Sequence, residues 1–145
     1  MSWQSKISLE FGERVVTSWR ANWELTGEVE NKGLFGEHGA GIAKEIRKGF
    51  LVLTSQRLLF LQEQGIFGKS YHQVLTVPLP KLIEVSMGGT VLPFISITDD
   101  SETYIFHLSG IGKAQFESFR KLVLGQCQAR REEIEAEGRK SSSTT

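Results

Sequence analysis

Lys48-Gly49-Phe50-Leu51-Val52-Leu53-Thr54-Ser55-Gln56-Arg57-Leu58-Leu59-Phe60-Leu61 is the stretch that decides how this chain folds. Two runs rich in Val, Leu and Phe flank a polar break at Thr54-Ser55-Gln56-Arg57. Strand-length apolar runs joined by a few turn-forming residues read as a β-hairpin. Each run is apolar on both faces: Phe50 and Val52 alternate with Leu51 and Leu53, then Leu58 and Phe60 with Leu59 and Leu61. Such strands are covered on both sides, which predicts a central hairpin under other strands and a helix. A buried helix would need about ten uninterrupted residues, and Gly49 and Thr54-Ser55 cut each run shorter.

Working outward, Glu13 to Trp23 alternates, with Val15, Thr17, Trp19, Ala21 and Trp23 on one face of a half-buried strand. Phe11-Gly12-Glu13 reads as the turn leading into it. Glu24 to Arg47 is a long polar region with glycines at 27, 33, 36, 39 and 41, expected as a functional or disordered loop. Ile42, Lys44 and Ile46 alternate, so its last part can extend the next strand. Leu34 and Phe35 either cap the core or are exposed for a partner.

Beyond the hairpin, Gln64 to Gly68 marks a turn, and Tyr71 to Val77 is a strand ended by Pro78 and Pro80. Leu82 to Met87 alternates with Ile83, Val85 and Met87 on the inner face. Phe94 to Thr98 points Ile95 and Ile97 inward, Asp99-Asp100-Ser101 turns, and Thr103 to Leu108 returns with Tyr104, Phe106 and Leu108 together. From Gly112 the period becomes helical: Phe116, Phe119, Val123, Cys127 and Ile134 form one stripe, with Leu122 at its flank. Arg130 to Lys140, with four basic and four acidic residues, reads as a solvated extension. Ser141 to Thr145 reads as a disordered tail or a truncation scar.

The glycine, the aliphatic strand, the Leu-Thr-Ser-Gln-Arg turn and the Leu-Leu-Phe strand resemble the central hairpin of GRAM- and GLUE-type domains. These are variants of the pleckstrin-homology (PH) fold. Seven strands followed by one amphipathic carboxy-terminal helix match that layout over about residues 8 to 130. The resemblance implies a mostly β, α+β fold: a partly open, seven-stranded antiparallel barrel capped by the helix. It places a PH-like domain at 1–130, with a polar helix extension and tail at 131–145.

Size and composition suit one domain. A chain of 145 residues can bury a proper core, and 39% hydrophobic and 23% charged residues are ordinary for a soluble protein. Seventeen basic and 17 acidic residues give zero formal net charge, which argues against a nucleic-acid binder. The single cysteine, Cys127, excludes an internal disulfide and a thiolate zinc site. No apolar run approaches the roughly 18 residues of a membrane span, and the first residues lack a signal peptide's apolar core. A cytoplasmic protein, able to sit at the periphery of a membrane, is expected.

Catalytic chemistry is hard to assemble. Gly36-Glu37-His38-Gly39-Ala40-Gly41 has glycines at phosphate-loop separation, but Ile42-Ala43-Lys44 follows where Lys-Ser/Thr is needed. His38, His72 and His107 have no neighbour at ligand spacing, and Asp99-Asp100 suits a turn better than a catalytic pair. Cys127 lies on the apolar stripe, where cysteine behaves as a small hydrophobe. No catalytic residue, metal site or cofactor is expected.

Binding remains. PH-type domains hold acidic headgroups with basic residues at the open end of the barrel. The resemblance therefore implies Arg20, Lys44, Arg47, Lys48 and Lys69 as anionic-lipid contacts, each worth about 1 kcal/mol toward an anionic membrane. Against it, Glu24, Glu28, Glu30, Glu37 and Glu45 outnumber Lys32, Lys44, Arg47 and Lys48 along the same stretch. The GLUE domain of ESCRT-II also binds ubiquitin, through an apolar patch. That implies Leu92, Phe94 and Leu124 as protein-binding candidates, each of which could equally be core. The leading expectation is a non-enzymatic adaptor for ubiquitin or another protein in ESCRT-type membrane sorting. The alternatives are an anionic-lipid or phosphoinositide module and an oligomerising, prokaryotic-type PH-like domain that pairs exposed strand edges.

Overall fold

The computed structural model describes residues 6–30, 40–66, 68–89, 93–108 and 110–142. The expected hairpin is there: β2 (Ala40–Thr54) and β3 (Arg57–Gln64) pair antiparallel, Leu53 opposite Leu58 and Phe50 opposite Leu61. With β1 (Val15–Glu30), β4 (Ser70–Pro78), β5 (Leu82–Gly88), β6 (Phe94–Asp99) and β7 (Thr103–Leu108), they form one antiparallel seven-stranded sheet. Its order is β4-β3-β2-β1-β7-β6-β5, so the end strands β4 and β5 stay unpaired with each other and the sheet is open. The helix α1 (Lys113–Ser142) follows.

The sheet curls on itself. Strands β3 and β7 are three places apart, which in a flat sheet is about 14 Å. Yet the rings of Phe60 and Phe106 have centroids 5.8 Å apart, with Trp23 packed against both. Leu51, Leu53, Leu58, Phe60, Ile95, Ile97 and Phe106 thus fill one core, closed at one end by Phe116, Phe119, Val123 and Cys127 of α1. The other face of the hairpin is buried too. Val52, Leu59 and Leu61 pack with Phe50, Tyr71 and Ile7, so the amino-terminal segment covers that side.

The Thr54-Ser55-Gln56-Arg57 break does more than turn the chain. The Thr54 hydroxyl accepts from the Gln56 and Arg57 N–H groups and donates to Glu13. Arg57 Nε donates to Glu13 Oε2 at 2.8 Å, and its Nη2 reaches the Ser8 carbonyl. Ser55 exchanges bonds with the Arg14 backbone, and Gln56 Nε2 donates to the Phe11 carbonyl. The turn is a polar clamp on residues 8–14.

Four expectations change. The region from Glu24 to Arg47 is not one loop: β1 runs on to Glu30 and β2 starts at Ala40, paired throughout. Residues 34 and 35 lie outside the described residues. Shifts in register between Val15 and Thr17 and between Leu82 and Glu84 turn Val15 and Ile83 outward, Ile83 being 65% exposed, while Val16 and Leu82 join the core. Each extra residue reverses the faces on one side of it, which strict alternation cannot anticipate. Ile134 is 40% exposed, so the buried stripe of α1 ends at Cys127. The helix also continues through Ser142, into the stretch expected as a tail.

Candidate functional site

The basic residues singled out from the sequence converge only in part: Arg20 lies near both Lys48 and Lys69, and Arg47 is turned away from them. In β1 the residues Trp19, Ala21 and Trp23 face the core, so Arg20 and Asn22 face outward. Lys48 lies opposite Asn22 and shares that outer face. Arg47 lies opposite Trp23 on the inner face, with its guanidinium 5.6 Å from the Trp23 ring and its Nε 3.4 Å from Glu45. The two-residue period therefore puts Arg47 and Lys48 on opposite sides of the sheet. Arg20 and Lys69 meet over Glu63, at 2.8 and 3.0 Å. Lys69, and then Arg20 against the cost of burial, hold the Glu63 carboxyl below its ordinary range. Arg20 also stacks 5.1 Å above the Phe50 ring. Lys48 has no ion-pair partner among the described residues. The side chain of Lys44 lies outside them.

The apolar candidates are dispersed. Phe94 is half-buried, its ring 6.2 Å from that of His107 and pressed over Gly88, where an added Cβ would lie 2.5 Å from it. Leu124 packs partly against the core. Leu92 lies outside the described residues, as does His38. Burial pushes the Cys127 thiol up, which suits packing rather than reactivity. His72 touches Ser70, and His107 Nε2 is 3.4 Å from Glu24.

A different place in the fold is open. Strand β1 pairs with β7 only from Ala21 to Glu24, because β7 ends at Leu108. Gly110, at φ +69°, then turns the chain away from the sheet, a left-handed conformation that favours glycine. Gln115 caps the incoming helix by accepting from the Gly112 N–H at 3.1 Å. From Val15 to Arg20 the side of β1 away from β2 therefore has no strand beside it among the described residues. The first turns of α1 stand off from that edge and leave a cavity of about 570 Å³. Trp19 and Phe119, edge to face at 4.5 Å, form its floor with Leu108 and Ile111. Thr17 and Ser18 line one wall; Gln115, Ser118 and the 38%-exposed Leu122 line the other.

At Arg20 and Leu108 this groove adjoins a second hollow of about 340 Å³, lined also by Asn22, Lys48 and His107. Among the described residues no Asp or Glu lines either cavity. The only sequence hint of the groove was Leu122 at the flank of the helical stripe. Where β7 stops pairing with β1 is a matter of register, which residue types do not announce.

On the other side of the helix, β5 and the first turns of α1 border a hollow of about 490 Å³ that, unlike the groove at β1, has Glu84 and Glu117 in its lining. Strand β5 is the sheet's other edge near α1, and Arg120 Nε donates to the Val85 carbonyl while Arg131 Nη2 donates to that of Leu82. These arginines take acceptors that an incoming strand would need.

No family model and no curated protein matches the chain. Among solved structures it is similar to the carboxy-terminal domain of an unknown protein from Leishmania infantum, at 14% identity and TM-score 0.48. That match covers 81% of this chain and 87% of the other. It is also similar to the linker-DH/PH domains of p115-RhoGEF, at 10% identity and TM-score 0.47. The DH/PH domains of PDZ-RhoGEF, in complex with activated RhoA, follow at 11% and 0.44. Each of these two matches covers 81% of this chain, which spans about 30% of their length. These are likenesses in the path of the chain and assign no activity.

Proposed function

We propose that this chain is a non-enzymatic binding module that engages a partner protein in the groove between β1 and α1. One observation carries the reading: a free strand edge borders an apolar floor that is open to solvent. Small open grooves beside a sheet edge bind peptides by lending backbone bonds for affinity and side-chain pockets for choice. The RhoGEF structures to which the chain is similar contain PH domains, one of them in a complex with RhoA, and a protein-binding role is compatible with that likeness.

The lipid reading is weaker on this geometry, since Arg20 and Lys69 already neutralise Glu63 and Arg47 turns inward. Ubiquitin, as the partner implied by the GLUE resemblance, would need Phe94 and Leu124 on a common exposed patch. Neither is fully exposed, so the groove is the better candidate surface.

The test is to pan a random peptide library over the wild-type protein and over a Ser118→Arg/Leu122→Glu variant. Both residues are exposed on α1, so the variant should fold, as circular dichroism would verify. Peptides that bind the wild type and lose at least about tenfold in the variant support the reading. Equal binding to both, or no enriched peptide, overturns it. Phosphatidylserine vesicles run in parallel, and capture of the protein by vesicles without any peptide enrichment would move the function to lipid.

A further inference from the structure

Resting on the groove reading, we infer that its ligand is an extended segment that joins β1 as an added strand and carries a carboxylate side chain into the Arg20–Lys48 hollow. The free edge from Val15 to Arg20 spans about 20 Å at strand rise, long enough for a short extended segment. An added strand would satisfy backbone groups that β7 leaves unpaired below Ala21. Its alternate side chains would fall toward Trp19, Phe119 and Leu122, so apolar residues fit there.

Charge identifies the other requirement. The groove and the adjoining hollow share Arg20 and Leu108, so one ligand running along β1 reaches both. Arg20 and Lys48 line the hollow with Asn22 and His107, with no carboxylate in the lining among the described residues. Glu63 already binds Arg20, but it is shared with Lys69, and the Arg20 side chain remains 47% exposed. Glu24 stands beyond His107, at 3.4 Å from its Nε2. The cation free to meet a ligand is Lys48, exposed and without an ion pair among the described residues. A basic residue poised at the end of an apolar groove complements an acidic side chain.

The experiment uses a peptide selected in the panning above, its acid-to-amide version (Glu→Gln or Asp→Asn), and versions N-methylated at single backbone positions. Binding is measured by isothermal titration to the wild type, to Lys48→Ala and to Leu122→Glu. The expected result is about a fivefold loss with Lys48→Ala for the acidic peptide and none for the amide. N-methylation at alternate positions should abolish binding, since only alternate N–H groups of a strand face its neighbour. If Lys48→Ala weakens both peptides equally, or N-methylation at every position is tolerated, the strand-and-carboxylate inference falls while the groove reading stands. If Leu122→Glu leaves both peptides bound, the groove reading itself falls.

Discussion

Glu13 shows how much a single side chain organises at the edge of this fold. It is fully buried, with Arg57 15% exposed beside it, and together they hold the amino-terminal segment over the outer face of the hairpin. Burial alone would raise the Glu13 carboxyl. Hydrogen bonds from Arg57, Thr54 and the Glu10 N–H, with the Arg57 charge, outweigh it and leave the carboxyl below its ordinary range. Arg57→Ala would strand a buried carboxylate. The expected loss is about 3 kcal/mol, the lower end for a broken buried pair because Arg57 keeps some water, read as a drop in urea midpoint. The pH dependence follows. A carboxylate with a lowered folded pKa adds stability that is complete above its unfolded pKa, about 4.3, and is lost as pH falls through the folded value. The midpoint should therefore fall on acidification from about pH 5 to 3, and fall less steeply in Glu13→Gln. Asp99 leaves a residual slope of the same sign. Burial raises its carboxyl too, but bonds from the Glu102 and Ser101 N–H groups and the Tyr104 hydroxyl hold it low.

Among the elements, the hairpin was the most legible, since its runs are apolar on both faces and bounded by a glycine and a polar turn. The reason for that glycine emerges only from packing. At Gly49 an added Cβ would lie 1.9 Å from the Leu61 carbonyl oxygen on β3. Backbone cannot give way as a flexible side chain can, so Gly49→Ala should cost about 2–3 kcal/mol in urea denaturation; a neutral outcome would mean that the β2–β3 spacing relaxes freely. Strands β6 and β7 also followed their alternation. Strands β1 and β5 did not at Val15 and Ile83, where a register shift reverses the faces. The long polar region misled for another reason. Its glycines and charges resemble a loop, but paired backbone can carry a ladder with little apolar content, and β1 and β2 extend to Glu30 and Ala40.

For the molecule as a whole, the question is which edges of an open sheet stay exposed. The arginines of α1 occupy Val85 and Leu82 carbonyls on β5, while the early part of β1 is left bare. Unprotected edges invite pairing between copies. Arg120→Ala/Arg131→Ala should therefore self-associate in sedimentation velocity at concentrations where the wild type does not. A variant that sediments like the wild type would show that these contacts do not guard the edge. The sequence by itself determined the strand-rich architecture, the central hairpin and the closing helix, because apolar period and turn chemistry are local properties. It also named Arg20 and Lys48, but within a cluster that the sheet then divided. Only the tertiary structure decided which face each cation occupies, that β7 releases β1 below Ala21, and that α1 stands off there to leave a groove. Those outcomes depend on register and on where distant segments meet, and no local pattern of residue types encodes either.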